Sequence, residues 1–286
     1  MPWATPDSLA PASCGFVLAA SGRKYATAAE AAARSLRQSN PDFEVDIFTD
    51  QEVDAGLFGQ VHKLDKSWFR PKFEALIRSR FDRTIYLDVD LVVLGDMSDV
   101  FFILGKYDIA AVQATNRNQG FAWKPWRLPL PNAFPQINGG MIAIRRSEAM
   151  QQFLAGCQQA MVDHGLKRDQ PVFREMLWTS DLRLHILPPE YNVRNRTLWQ
   201  YGGSKFAAPR VLHHTGFVAR MKDDRTPVRP EQIYGRGFVK HVKRLIAADR
   251  QLTPGAKGSV PAPQYDNILF RGRDWLEAKF GGKKKG

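Results

Sequence analysis

Cysteine is almost missing from this chain. Only Cys14 and Cys157 occur in 286 residues. There is accordingly no disulfide framework and no thiolate metal site, and the usage fits a reducing cytoplasm. Long apolar runs are missing too: no stretch of 18 apolar residues exists, so no membrane-spanning helix is expected. The opening MPWATPDSLAPAS has no basic start and no long apolar core. Residues 1–13 therefore read as a loose leader and not as a secretory signal. A Gly-rich phosphate loop is absent as well; the loop after the first predicted strand is only SGRKY.

What is present is an ordinary globular composition with lopsided charge. The length suits one large domain or two small ones. The formal net charge is +12. From Arg194 onward, 20 Lys and Arg face 7 Asp and Glu, whereas the first 193 residues hold 21 and 22. All of the basic excess lies in the last third. Such a region either meets something anionic, such as phospholipid headgroups or an acidic acceptor, or is simply a solvated tail. No nucleic-acid motif accompanies the charge, so nucleic acid is not expected as a partner.

The most informative stretch is RTIYLDVDLVVLGD, Arg83 to Asp96. Thr84 to Leu87 reads as a buried strand and Leu91 to Leu94 as a second apolar run. Between them stand Asp88 and Asp90, separated by Val89. Two carboxylates between apolar runs are costly unless their charge is offset. Alternation in an extended segment turns both toward one side and Val89 toward the core. Hard oxygen ligands of this kind suit Mg²⁺ or Mn²⁺ shared with a phosphate.

The rest of the chain alternates strands and helices. Gly15 to Ala20 is a continuous apolar run, Thr27 to Arg37 an Ala-rich helix, and Val45 to Phe48 a strand ending at Asp50, a βαβ unit. Val61 to Leu64 is a short strand, and Phe69 to Arg80 an amphipathic helix with Pro71 in its first turn. Ser98 to Phe102 is a helical turn and Asp108 to Val112 a strand. Residues 115–135 form a long irregular loop, a length that is often functional. Its Phe121, Trp123 and Trp126, near Lys124 and Arg127, either stack on a sugar and grip a charged group or cover the core. Gln136 to Ile144 is a strand interrupted by Asn138-Gly139-Gly140, where paired glycines allow close backbone approach by a ligand. A helix capped by Ser147 runs to about His164, and Asp169-Gln170-Pro171 opens another. His185 to Leu187 is a strand, and Val211 to His214 delivers two histidines, of which alternation lets one bind an ion. Gly237 to Arg250 is an amphipathic helix, either interfacial or covering a domain. Residues 253–263 are linker-like, Asn267 to Phe280 is a last helix with Trp275, and the terminal GGKKKG reads as disordered.

Strand, D-x-D, strand, Gly95-Asp96, followed in order by Asn138-Gly139-Gly140, Asp169-Gln170, Tyr191-Asn192 and His213 three residues before Gly216, resembles the GT-A nucleotide-sugar glycosyltransferases. It is most similar to the glycogenin and bacterial galactosyltransferase group, family 8. The resemblance implies an α/β fold: a single GT-A (Rossmann-like) domain, residues 14–224, with a mostly parallel central sheet and a basic, mainly helical C-terminal extension, 225–286. It implies Mn²⁺ or Mg²⁺ held by Asp88, Asp90 and His213, with nucleotide base and ribose near Ala20, Ser21, Tyr25 and Asp50. Lys72 is implied to reach the diphosphate, Asn138 and Gly139 to touch the donor sugar, and Asp169 and Gln170 to flank the anomeric carbon. After Gly216 the family's Lys-Pro-Trp step is replaced by FVARMKDD, so Arg220 or Lys222 stands in for its lysine. The implied activity is transfer of a sugar from a nucleoside-diphosphate sugar, UDP-sugar favoured, to a glycan, lipid-linked or protein hydroxyl, with retention. The expected location is cytoplasmic or peripheral to the inner face of an anionic membrane. Two alternatives are a sugar nucleotidyltransferase, which the short SGRKY loop disfavours, and a non-enzymatic anion- or nucleic-acid-binding module.

Overall fold

The computed structural model describes residues 12–65, 70–115, 117–118, 125–202 and 205–258. The expectations for Phe69, Phe121, Trp123, Lys124, the last helix with Trp275 and the terminal GGKKKG lie outside these residues. The backbone divides into two units. One comprises residues up to Arg194 together with Arg210–Arg229; the other comprises Asn195–Pro209 and the residues from Pro230 onward.

In the first unit the elements, in order, are β1 (Cys14–Ala20), α1 (Arg23–Ser39), β2 (Glu44–Thr49), β3 (Val61–Lys63), α2 (Lys72–Arg78), β4 (Arg83–Leu87), β5 (Leu91–Val93), α3 (Asp99–Ile103), β6 (Ile109–Gln113), β7 (Ile137–Arg145), α4 (Glu148–Asp163), α5 (Asp169–Trp178), β8 (Leu184–Leu187) and β9 (Val211–His213). Among the described residues, seven strands form one sheet in the order β3-β2-β1-β4-β7-β6-β8. Its pairs are parallel except where β7 runs antiparallel to β4 and β6. The mostly parallel α/β architecture is the one expected.

β1 explains why its sequence is apolar without alternation. Phe16, Leu18 and Ala20 pack into one core with Ala28, Ala29, Ala32 and Leu36 of α1. Val17 and Ala19 pack into the other, with Phe73 and Leu76 of α2, Leu154 of α4 and Phe173 of α5. A strand covered on both faces has no polar side to show. The alanines of α1 let that helix lie close to the sheet. It starts at Arg23, four residues before the sequence suggests, because Gly22 takes φ +85° and Ala26 N–H reaches Gly22 O at 3.1 Å. α2 is shorter than expected, beginning at Lys72 with Pro71 as its N-cap.

Two non-local links assemble the site. Asp88 N–H donates to Gly140 O at 2.9 Å, joining the end of β4 to β7. β5 and β9 form a separate antiparallel pair in which Leu91 faces His213, and His214 N–H donates to Asp90 O at 2.9 Å.

In the second unit, helix Arg236–Ala248 buries Phe238, Val239, His241, Val242 and Leu245. Phe238 lies against Tyr234, and His241 Nε2 donates to Trp199 O at 3.1 Å. The apolar side of this helix is turned inward, and Arg236, Lys240 and Lys243 are exposed. Of the two readings of its amphipathic sequence, it follows the covering helix.

Candidate active site

The carboxyl ends of β1 and β4, the start of β7, the N-terminus of α5 and the end of β9 enclose a cavity of about 710 Å³. Open α/β sheets bind ligands at this edge. Asp88 and Asp90 are half-buried in the bend after β4, and Val89 between them is 5% exposed. The alternation read from sequence therefore holds although the segment is a bend. One ligand atom each from Asp88, Asp90 and His213 lies within 4.8 Å of the others.

Asp88 and His213 are held from behind, and Asp90 stands against His213. Tyr86 O–H donates to Asp88 Oδ1 at 2.9 Å. Burial and the Asp88 charge push the phenol well above its ordinary value, so it remains a donor. Asp90 Oδ1 lies 2.9 Å from His213 Nε2. Burial disfavours the Asp90 carboxylate, but a protonated His213 beside it prevails while no cation is bound and holds the group below the usual range; a bound cation takes the place of that proton.

His213 itself is 2% exposed, and its tautomer follows from a relay of hydrogen bonds. Gly140 N–H can only donate, so the atom it meets at 2.9 Å on Asn138 must be the carbonyl oxygen. The same oxygen accepts from Asn192 Nδ2 at 3.1 Å. That fixes the Asn192 amide with Oδ1 toward His213 Nδ1, 2.8 Å away. Nδ1 therefore carries the hydrogen, and the lone pair of neutral imidazole is on Nε2. This atom is buried, and despite its closeness to Asp90 it has no hydrogen bond of acceptable direction. Two carboxylate oxygens and a buried imidazole lone pair fit Mn²⁺ or Mg²⁺.

Lys72 is 4% exposed. Its ammonium lies 2.8 Å from Asp169 Oδ2 and 3.7 Å from Asp88 Oδ1, and donates to Gly139 O at 2.9 Å. Burial would lower its pKa, but the Asp169 and Asp88 charges outweigh that and raise it. Conversely, burial would raise Asp169, but Lys72 and Arg70 hold it below the usual carboxylate range. Both groups are ionised near neutrality. Gln170 lines the cavity and accepts from Gln136 Nε2 at 3.2 Å.

Of the remaining residues expected in the site, Ser21, Tyr25, Asn138 and Gly139 line the cavity, whereas Ala20, Asp50 and Arg220 do not. Asp50 instead accepts from Ser21 O–H at 2.7 Å and Gly22 N–H at 2.8 Å, tying the β1 and β2 loops together. Arg220 is exposed at the end of helix Gly216–Ala219. Trp126 packs against the core and meets the His164 ring edge-on, with Arg127 stacked over it, so it takes the core-covering alternative. The glycine pair serves the protein's own side chains. A Cβ on Gly140 would stand 2.0 Å from His213 Cε1, and one on Gly139 2.7 Å from Lys72 Nζ.

Sequence reasoning missed Arg70, Arg168 and Arg194, the other basic residues of the lining. No local pattern marks them. It also took Tyr191-Asn192 only as one of the ordered motifs, without the relay from Asn192 to His213.

The family model described as nucleotide-diphospho-sugar transferase matches residues 27–223. No curated protein sequence matches the chain. Among solved structures, the chain is similar to the apo form of the glycosyltransferase GlyE of Streptococcus pneumoniae TIGR4, at 18% identity and TM-score 0.53, over 80% of this chain and 60% of that one. The chain thus spans three fifths of the length of apo GlyE. It is also similar to the galactosyltransferase LgtC in complex with donor and acceptor sugar analogs, at 15% identity and TM-score 0.54, over 91% of this chain and 99% of that one. At these identities the likeness is one of fold.

Proposed function

This chain belongs to the nucleotide-diphospho-sugar transferase family and has the GT-A fold, and we propose that it moves a sugar from UDP-sugar to an acceptor hydroxyl, with a divalent cation and with retention at the anomeric carbon. The sugar nucleotidyltransferase and the non-enzymatic binding module are set aside with that family membership. The transferase domain is residues 14–224. The observation that carries the reading is the convergence of Asp88, Asp90 and His213 within 4.8 Å, in a cavity also lined by Arg70, Lys72, Arg168 and Arg194.

Asp88, Asp90 and His213 would hold Mn²⁺ or Mg²⁺, which supplies positive charge to the leaving diphosphate. Lys72, kept ionised by Asp169, adds a fixed ammonium, and the cavity arginines offer bidentate donors to phosphate oxygens. The base and ribose lie by Ser21 and Tyr25, the exposed Tyr25 ring providing a stacking face. Asn138 and Asp169 hydrogen-bond sugar hydroxyls, and Gln170 places an uncharged amide by the anomeric centre. Retention is supported by the carboxylates of the lining: Asp88 and Asp90 belong to the cation site and Asp169 is bound to Lys72. Its depressed pKa makes Asp169 a poor general base for activating an acceptor in an inverting reaction. The exposed Arg236, Lys240 and Lys243 suit electrostatic contact with an anionic membrane, and the protein acts in the cytoplasm.

The test is a thermal-shift panel of nucleoside diphosphates with and without Mn²⁺. UDP with Mn²⁺ should raise the melting temperature of the wild type, by about 2.7 kcal/mol of stabilisation at a hundredfold excess over Kd, and leave Asp88→Ala unmoved. Equal, metal-independent shifts with every nucleotide would refute the assignment.

A further inference from the structure

A second cavity, of about 440 Å³, lies beside the donor site and is lined by Arg117, Asn118, Asn132, Phe134, Gln136 and Arg174. The two cavities share Gln136, whose amide donates to Gln170. A group seated in the second cavity therefore sits next to the residue proposed to face the anomeric carbon.

The charge of this cavity is unbalanced. Arg174 is 9% exposed. Its guanidinium donates to Pro131 O at 2.8 Å and to Phe134 O at 2.6 Å, and Arg117 donates to Asn132 O. These carbonyls satisfy hydrogen bonds without neutralising charge. Among the described residues no carboxylate lies within ion-pair distance of either arginine, whereas the neighbouring Arg127 pairs with Glu175 at 2.9 Å. Burial and then the Arg117 charge push the Arg174 guanidinium below its ordinary value. The segment 115–135 contains no Asp or Glu. The desolvated charge of Arg174 is costly until an anion joins it, and the exposed Arg117 adds positive charge at the mouth of the cavity. Phe134, which meets Trp178 edge-on, also lines the cavity.

We propose that this cavity is the acceptor subsite and that it selects an acceptor sugar bearing a phosphate or carboxylate, gripped by Arg117 and Arg174 with its hydroxyl toward Gln136 and Gln170. This rests on the transferase reading above.

The test is calorimetric titration of the full chain, saturated with UDP and Mg²⁺, with glucose 6-phosphate, glucuronate and glucose. The phosphate and carboxylate arms separate the two anion sources. Either charged sugar should bind saturably and more tightly than glucose. Arg117→Gln, at an exposed position, should weaken it at least about tenfold while UDP affinity stays unchanged. Arg174→Gln should do the same; because Arg174 also ties down the 131–134 turn, the Arg117 variant decides the matter if that protein folds poorly. If UDP binds but the charged sugars bind no better than glucose, or bind Arg117→Gln as tightly as the wild type, this inference is overturned and the donor site stands. If UDP itself fails to bind, the donor reading falls and the acceptor assignment with it.

Discussion

Lys72 is the side chain whose removal should be felt most broadly. It is 4% exposed, and its ammonium lies 2.8 Å from an Asp169 carboxylate that is itself 7% exposed. Replacing Lys72 by Met keeps much of the volume and removes the charge. Asp169 then keeps Arg70, whose Nε is 4.0 Å away. Breaking a buried pair from one side costs about 3–5 kcal/mol. With Arg70 still present the lower end applies, about 3 kcal/mol, or a melting temperature lower by about 6–12 °C for a domain of this size. The double variant Lys72→Met/Asp169→Leu should recover most of this loss, because neither charge is then left alone.

The pH dependence has a definite sign. The folded-state pKa of Asp169 is depressed, so its stabilising contribution is present above the unfolded value of about 4 and lost as pH falls through the folded value. Without Lys72, burial works against the carboxylate with less opposition. The deficit of Lys72→Met relative to the wild type should therefore be largest near neutrality and shrink as pH falls toward about 4. Urea unfolding at several pH values from 4 to 8 measures it. A deficit below about 1 kcal/mol at pH 7, the size expected of a surface pair, would show that the pair is not desolvated. A double variant no more stable than the single one would refute the reasoning as well.

The other consequences concern the proposed cation site. Gly140→Ala puts a Cβ 2.0 Å from His213 Cε1 and 2.5 Å from Nδ1, so the ring must leave its place; Mn²⁺ affinity, followed by the electron paramagnetic resonance of free Mn²⁺, should fall at least about tenfold. An unchanged affinity would mean that His213 is not a ligand. Asn192→Leu deletes the acceptor for His213 Nδ1 and should weaken Mn²⁺ binding about 10–100-fold, whereas Asn192→Asp, which still accepts there, should retain most of it. Equal loss in both variants would show that Asn192 serves packing and not the tautomer.

Much of the fold was legible because it depends on local pattern. The unbroken apolar run of β1 announces a strand covered on both faces, and the structure divides its residues between two cores. Ser147 as a helix cap is equally local: it accepts from Met150 N–H at 3.1 Å. Helix ends were read less well. α1 gains a turn at its start because the loops after β1 and β2 close there, through contacts between Ser21, Gly22 and Asp50 that are distant in sequence.

The chain by itself determined the chemistry that could be performed: two aspartates one residue apart after an apolar strand, a histidine at the end of another, a lysine on an intervening helix, and an Asp-Gln pair opening a later one. Only the tertiary structure decided how these meet. The β5–β9 pairing sets His213 opposite Leu91 and so beside Asp90, and burial of Lys72, a residue implied only to reach the diphosphate, makes it the hub between Asp88, Asp169 and Gly139. Likewise Arg70, Arg168 and Arg194 line the cavity while Arg220 does not. The physical reason is that residue types carry charge and hydrogen-bonding capacity along the chain, whereas strand register and burial are cooperative properties of the packed sheet and fix distances between positions far apart in sequence.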